Sequence, residues 1–261
     1  MTAERPDDPA PATGHQAYRS VQAYRRSGDA GHLTRFYASD YYGRVHSLPP
    51  KAKVRRKYPF IAAAIGPQAG DILDVGCATR MLAHQALSEV GRYHGFDVNP
   101  VFRPDYLGDI HDIGRVVDRR FDWLVFANTL EFVHDPVAVL RQCRDIAPRI
   151  AVMVPMWFQL QCLALPRSWR AERDRYLHSG GGRFWRRLLQ AGGYRTYARR
   201  GFGYIPSIAF NSRSRALRAV DDWLDANRVI GWLDRRVMEP LSAWPLLRGL
   251  AQEQLFLAER A

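Results

Sequence analysis

The sequence predicts an α/β fold built on a parallel sheet with helices on both faces. Three observations carry this. The run Asp71-Ile-Leu-Asp-Val-Gly-Cys-Ala-Thr-Arg80 is a short apolar strand pattern that ends in Gly76 and feeds a helical pattern. A glycine at a strand-turn-helix junction is how such folds bring backbone amides close to a nucleotide-like ligand. The next apolar run, Tyr93-His-Gly-Phe-Asp97, ends in a carboxylate 23 residues after Asp74, near the spacing at which a second-strand acid grips ribose hydroxyls. After these, short apolar runs and helical patterns alternate down the chain, which reads as repeated β-α-β units.

Composition bounds the function. The chain has 261 residues, 47 % of them apolar, enough for one large domain with a real core. Residues 1–16 are polar and rich in Pro and Ala, and read as a disordered tail and not as a secretory signal. No run reaches the ~18 apolar residues of a membrane span; the nearest, Ile150 to Leu165, is broken by Pro155, Gln159 and Gln161. Cys77, Cys143 and Cys162 are widely spaced and odd in number, which points to a reducing, cytoplasmic compartment, no disulfide framework and no zinc site. The net charge is +12, but lysine occurs only at Lys51, Lys53 and Lys57, and arginine supplies the other 35 positive charges, scattered along the chain. Nucleic acid is therefore not the expected partner. The one dense basic cluster, Lys51-Ala-Lys-Val-Arg-Arg-Lys57, is an alternative foot for RNA or a membrane surface.

In chain order, Gln16 to Ser27 carries Tyr18, Val21 and Tyr24 at helical spacing and breaks at Gly28. Leu33 to Val45 is rich in aromatics (Phe36, Tyr37, Tyr41, Tyr42) that read as core or as a lid over a pocket. Ala52 to Ile65 is a helix, bent or restarted at Pro59. Strand Asp71–Val75, helix Arg80–Glu89 and strand Arg92–Phe96 follow. A short strand at Tyr106-Leu107 and a helical turn over 112–117 come next, then strand Trp123–Ala127, helix Asp135–Ile146 and strand Ile150–Val154. Helix Arg183–Ala191 leads to strand Tyr194–Arg199. Ser214 to Leu247 reads as largely helical, with Trp223, Trp232 and Trp244 and a stop at Pro240. Gln254–Ala258 reads as the last strand. The inserted helices suit a cap over the site or the face of a homodimer.

These motifs together resemble those of the class I S-adenosylmethionine-dependent methyltransferases. Ile72-Leu-Asp-Val-Gly-Cys-Ala-Thr-Arg80 resembles the family's glycine-rich first motif, and Gly95-Phe-Asp-Val-Asn99 its second. Gly108-Asp-Ile110 resembles the third and Phe121-Asp-Trp-Leu-Val-Phe-Ala-Asn-Thr-Leu-Glu131 the fourth. Tyr176-Leu-His-Ser, with Phe184 to Tyr194, resembles the stretch before the sixth strand. The resemblance spans roughly residues 52–200 and the last strand. It implies a three-layer α/β/α sandwich with a mostly parallel seven-stranded sheet whose last strand is antiparallel. The implied organisation is a disordered tail over 1–16, an N-terminal helical cap over 17–69, a Rossmann-like core over 70–200, a helical insertion over 201–252 and a final core strand over 253–261.

It also implies S-adenosylmethionine as cofactor, S-adenosylhomocysteine as product, and a set of contacts. Gly76 lets the backbone approach the ligand. Asp97, with Val98 beside it, accepts the ribose hydroxyls as charge-assisted hydrogen bonds. Asp109 accepts from the adenine amine, and Ile110 packs on the ring. Asp74 holds the loop or the methionine ammonium, and Asn128 faces the methionine end and the substrate. Two glycines of the first motif are replaced, by Ala78 and Arg80. Arg80 must keep a negative φ or carry strain, and its side chain either pairs with the cofactor carboxylate or turns to solvent.

For the chemical step, Glu131, His134 and His178 are the titratable residues expected to border the substrate, with His178 preferred as base. The family's Glu-His pair after the fourth strand is here Glu131-Phe132, and no histidine set has metal-ligand spacing. The aromatic N-terminal and 201–247 segments frame an acceptor pocket for a small, partly apolar or aromatic metabolite, methylated at oxygen. Other readings left open are an acceptor in RNA or a membrane lipid, and a non-catalytic scaffold with a degenerate cofactor loop.

Overall fold

The structure, a computed structural model, describes residues 13–46, 52–156, 176–204, 220, 223 and 227–261. Seven strands form one sheet: β1 (Gly70–Val75), β2 (Gly91–Asp97), β3 (Tyr106–Leu107), β4 (Trp123–Ala127), β5 (Arg149–Pro155), β6 (Tyr194–Phe202) and β7 (Glu253–Arg260). Their order across the sheet is β3-β2-β1-β4-β5-β7-β6. The pairs from β3 to β5 are parallel, and β7 is inserted antiparallel between β5 and β6. The chain order reverses between β1 and β4, the position at which open α/β sheets leave a crevice.

The central strands are apolar on both faces because both are covered. On one face Leu73, Val75, Leu124, Phe126, Val152 and Phe256 pack with α6 (Pro136–Ile146) and α7 (Gly182–Ala191). On the other, Ile72, Trp123, Val125, Met153 and Leu255 pack with α4 (Ala52–Ile65) and α5 (Met81–Leu87). Each large side chain so buried contributes about 1.5–3 kcal/mol.

Helix α4 has the expected bounds and is not restarted at Pro59. It runs unbroken with Pro59 inside it. Side chains on both sides of the proline tie it to the sheet: Tyr58 donates to Asp74 (3.1 Å) and Ile61 is fully buried. Those anchors outweigh the one backbone hydrogen bond that proline removes.

The N-terminal aromatic segment forms two short helices, α2 (Gly31–Tyr37) and α3 (Asp40–His46), behind α1 (Thr13–Ser27). They are fastened over the carboxyl ends of the strands by Asn99. Its side-chain amide donates to Tyr37 O (2.8 Å) and Ser39 O (3.0 Å), and the residue is fully buried. Toward the C-terminus, Trp223, Trp232 and Trp244 are more than half exposed. Trp157, Phe158 and Cys162 lie outside the described residues.

Candidate active site

A cleft opens where β1 to β4 end, enclosing about 720 Å³ of space that is partly open to solvent. Its floor is Gly76, Asp97, Val98, Gly108 to His111, Asn128 and Thr129, each at or just beyond a strand end. Its roof is Leu33, Thr34, Tyr37 and Tyr42, with Phe132 to His134 on one side. The aromatic N-terminal segment is therefore both core and lid: Phe36 is buried, while Tyr37 and Tyr42 face the cleft.

The loop after β1 is stitched to β2. Gly76 and Cys77 both donate N–H to Phe96 O (2.8 and 3.1 Å), and Ala78 N–H donates to Asp97 Oδ2 (2.9 Å). Asp97 Oδ1 accepts from Asn99 N–H (2.8 Å). Burial raises the Asp97 pKa, and these backbone donors work against it. Gly76 sits at φ +79, and a Cβ there would meet Thr129 Oγ1 at 2.7 Å. The glycine is thus required by the β4 loop as well as by its own backbone conformation.

Ala78 and Arg80 adopt φ +45 and +58, so this loop keeps glycine-like geometry without glycine. Such angles cost a residue with a Cβ about 1–2 kcal/mol. The Arg80 side chain leaves the cleft. Nη1 donates to Arg103 O and Nη2 to Asp105 Oδ2, both at 2.6 Å, and the guanidinium lies 5.6 Å from the Tyr93 ring centre. The guanidinium so held is not among the groups that line the cleft. The solvent alternative is only partly right, because the arginine pins its own loop to the segment after β2.

The other expected residues divide. Gly76, Asp97, Val98, Asp109, Ile110, Asn128 and His134 line the cleft. Asp74 lies beneath it, fully buried, accepting from Tyr58 (3.1 Å) and Tyr93 (3.3 Å). Burial pushes its pKa up to about 7. Asp109 is already engaged: Oδ2 accepts from the Thr34 hydroxyl (2.7 Å), and Oδ1 takes the backbone N–H (2.9 Å) and ring Nδ1 (2.6 Å) of His111. The His111 bond holds its carboxyl far below the usual range.

His178 does not line the cleft. Its Nε2 lies 2.9 Å from Val133 O, and the N–H groups of Leu177 and His178 donate to Glu131 O (2.9 and 3.1 Å). The ring fastens one loop to another, and burial lowers its pKa. Its expected role as base is not supported by this geometry. His134 stacks on His111 with ring centres 3.7 Å apart; burial and the neighbouring His111 lower its pKa. The helix cap beside it is Asp135, whose Oδ1 accepts from Ala138 N–H (3.0 Å).

Glu131 is fully buried, both carboxyl oxygens lack a hydrogen-bond partner, and burial raises its pKa to about 8. Beyond Asn128, Lys57 donates to Asn128 Oδ1 and lies 3.0 Å from Glu253 Oε2. Arg56 pairs with Asp234 (2.7 Å) and Glu239 (3.3 Å). Two charges of the basic cluster are thus spent internally, which removes them from an electrostatic foot. Among the described residues, no three His, Cys, Asp or Glu side chains converge as a metal site. None of the described residues from 220 to 250 lines the cleft. Sequence reasoning missed Thr34, Asn99 and Lys57. Only the Asn-Pro step at Asn99 left a signal, as an N-cap before Pro100 whose side chain accepts from Val101 N–H (3.0 Å).

No family model matches the sequence, and neither does any curated protein. Solved structures match in fold. The mitomycin 7-O-methyltransferase MmcR superposes with a TM-score of 0.57 at 12 % identity, over 96 % of this chain and 69 % of that one. A methyltransferase from Thermotoga maritima, described as a possible histamine N-methyltransferase, does so with 0.53 at 12 % identity, over 95 % and 99 %. The chain has the class I methyltransferase fold. That fold also houses other chemistry: the cyclase SpnF matches with a TM-score of 0.50 at 15 % identity, over 79 % of this chain and 80 % of that one.

Proposed function

We propose that the chain is an S-adenosylmethionine-dependent methyltransferase acting on a small, partly apolar or aromatic acceptor, with oxygen as the atom methylated. The observation that carries this reading is Asp97: a buried carboxylate on the cleft floor, fixed by the glycine-loop amide of Ala78 and by Asn99. A fixed carboxylate beside a glycine turn suits a ribose diol, and it retains lone pairs for two hydroxyl donors. The residues present fit the cofactor. Val98 and Ile110 offer apolar walls, Asp97 the acceptor, and Asn128 a further polar group.

When bound, the cofactor supplies an activated methyl group; the chain supplies proximity, alignment and exclusion of water. Tyr37, Tyr42 and Phe132 give the cleft an aromatic rim suited to a flat, apolar acceptor. A hydroxyl acceptor gives up one proton, and of Glu131, His134 and His178 only His134 lines the cleft to take it.

Calorimetric titration with S-adenosylmethionine tests the cofactor, and Asp97→Asn tests its site. Wild type is expected to bind, and the variant to bind at least about tenfold more weakly while still melting cooperatively. A wild type that gives neither heat nor thermal shift removes the cofactor, leaving the scaffold reading. Incubation with labelled cofactor and fractionated metabolites, with mass detection, then tests the acceptor class. A label found only in RNA or lipid fractions overturns the small-molecule assignment.

A further inference from the structure

We infer that Lys57 is a positioning residue for the cleft: it holds Asn128 by its side-chain oxygen, so that the amide meets the cleft as an N–H donor and takes the carboxylate of the cofactor's amino-acid half. This rests on the cofactor reading above. Lys57 itself does not line the cleft, but Asn128 does. An ammonium only donates, so the Asn128 atom that it meets is the carbonyl oxygen, Oδ1. With that oxygen held, the amide does not flip. Its nitrogen lies near the Glu131 carboxyl and helps to lower its pKa, yet neither Glu131 oxygen bonds it. Asn128 Nδ2 thus has no hydrogen-bond partner among the described residues, and unlike the Glu131 oxygens it is not sealed from solvent. The backbone is fixed as well: Asn128 sits at φ +60, and its N–H donates to Met153 O (2.9 Å).

The place suits the amino-acid end. Strands run β3-β2-β1-β4 across this half of the sheet. Asp97 ends β2, Asp109 and Ile110 follow β3, and Asn128 follows β4. A nucleoside with its ribose at Asp97 and its base by Ile110 sends its remaining arm the other way, past β1 toward Asn128. That arm ends in an ammonium and a carboxylate. Among the described residues that line the cleft none is Lys or Arg, and Arg80 is spent on Arg103 and Asp105. An amide N–H backed by a cation is what the cleft offers the carboxylate. The Lys57 ammonium polarises that amide, and at 12 % exposure it is little screened by water. Glu131 does not repel a carboxylate there, since burial raises its pKa to about 8 and it keeps its proton at neutral pH.

The test compares S-adenosylhomocysteine with its decarboxylated analogue, which keeps the nucleoside, the thioether and the amine, by calorimetry at pH 7. Wild type is expected to bind the analogue about tenfold or more weakly. Asn128→Asp accepts the same bond from Lys57 but offers the cleft an oxygen in place of N–H. It should lose about tenfold or more in affinity for S-adenosylhomocysteine and bind the analogue at least as well as wild type does. The double variant Lys57→Met with Glu253→Gln removes both buried charges and frees the amide, so it should bind the analogue normally and lose most of the preference. Wild type binding both compounds alike overturns the inference and leaves the cofactor reading standing. The same holds if Asn128→Asp or the double variant keeps the wild-type preference. Wild type binding neither compound overturns the cofactor reading itself, and this inference with it.

Discussion

Arg80 Nη2 lies 2.6 Å from Asp105 Oδ2, which also accepts the Gly95 N–H at 2.7 Å. The arginine that replaces a motif glycine thus ties its loop to the start of β3 while its own backbone stays at φ +58. Two effects oppose each other. Glycine at 80 relieves the strain of a positive φ, about 1–3 kcal/mol. The lost ion pair is partly exposed, at 24 % and 37 %, and is worth about 0–1 kcal/mol. Arg80→Gly is therefore expected to leave stability unchanged or raise it slightly, with S-adenosylhomocysteine affinity within about threefold of wild type. A tenfold loss of affinity in calorimetry would show that Arg80 serves the ligand after all.

His178 is expected to be structural. Replacing it with Ala removes the bond to Val133 O, worth about 1 kcal/mol. The denaturation midpoint should fall accordingly, and S-adenosylhomocysteine affinity should hold. A variant as stable as wild type, with turnover lost on an identified acceptor, would restore the histidine as base.

The sheet was legible because its signals are local. Ile72 to Val75, Trp123 to Ala127 and Ile150 to Val154 are apolar runs bounded by turns, and each became a strand within one or two residues of its expected ends. The floor of the cleft was legible for the same reason, since Gly76, Asp97 and Asp109 stand at strand ends. What could not be read was pairing at long range. Thr34 meets Asp109 across 75 positions and Lys57 meets Asn128 across 71. His178 carries nothing in its neighbours to show that a backbone carbonyl 45 positions away takes its ring. Arg80 was readable as a departure from the motif, but its partner Asp105 was not.

Stability should depend on pH through two buried carboxyls. Burial raises Asp74 from 3.8 to about 7 and Glu131 from 4.5 to about 8. Between about pH 4 and pH 8 the unfolded chain has released these protons while the folded chain still holds them. Stability from the two groups is therefore complete at the acid end and is lost as pH rises through that window. The net charge of +12 falls over the same range and works the other way, so variants isolate the effect. Glu131→Gln should gain melting temperature relative to wild type by about 4 °C or more between pH 5 and pH 8, since each tenfold difference in proton affinity between folded and unfolded chain is about 1.4 kcal/mol. Parallel curves for the two proteins would mean that Glu131 is ionised in the fold.

Lys57 decides between two views of the basic segment. Its ammonium donates to Asn128 Oδ1 and lies 3.0 Å from Glu253 Oε2, with both charged side chains 12 % exposed. Breaking such a pair by removing one partner costs about 3–5 kcal/mol, whereas removing both charges together costs far less. Lys57→Met should thus destabilise strongly, and the double variant Lys57→Met with Glu253→Gln should recover at least half of the loss. If the residue were instead a foot for a polyanion, Lys57→Met would leave stability unchanged and weaken heparin binding at low salt, with a shallower salt dependence. Chemical denaturation and a salt series on heparin separate the two. The internal pairing predicts a large change in the first measurement and none in the second.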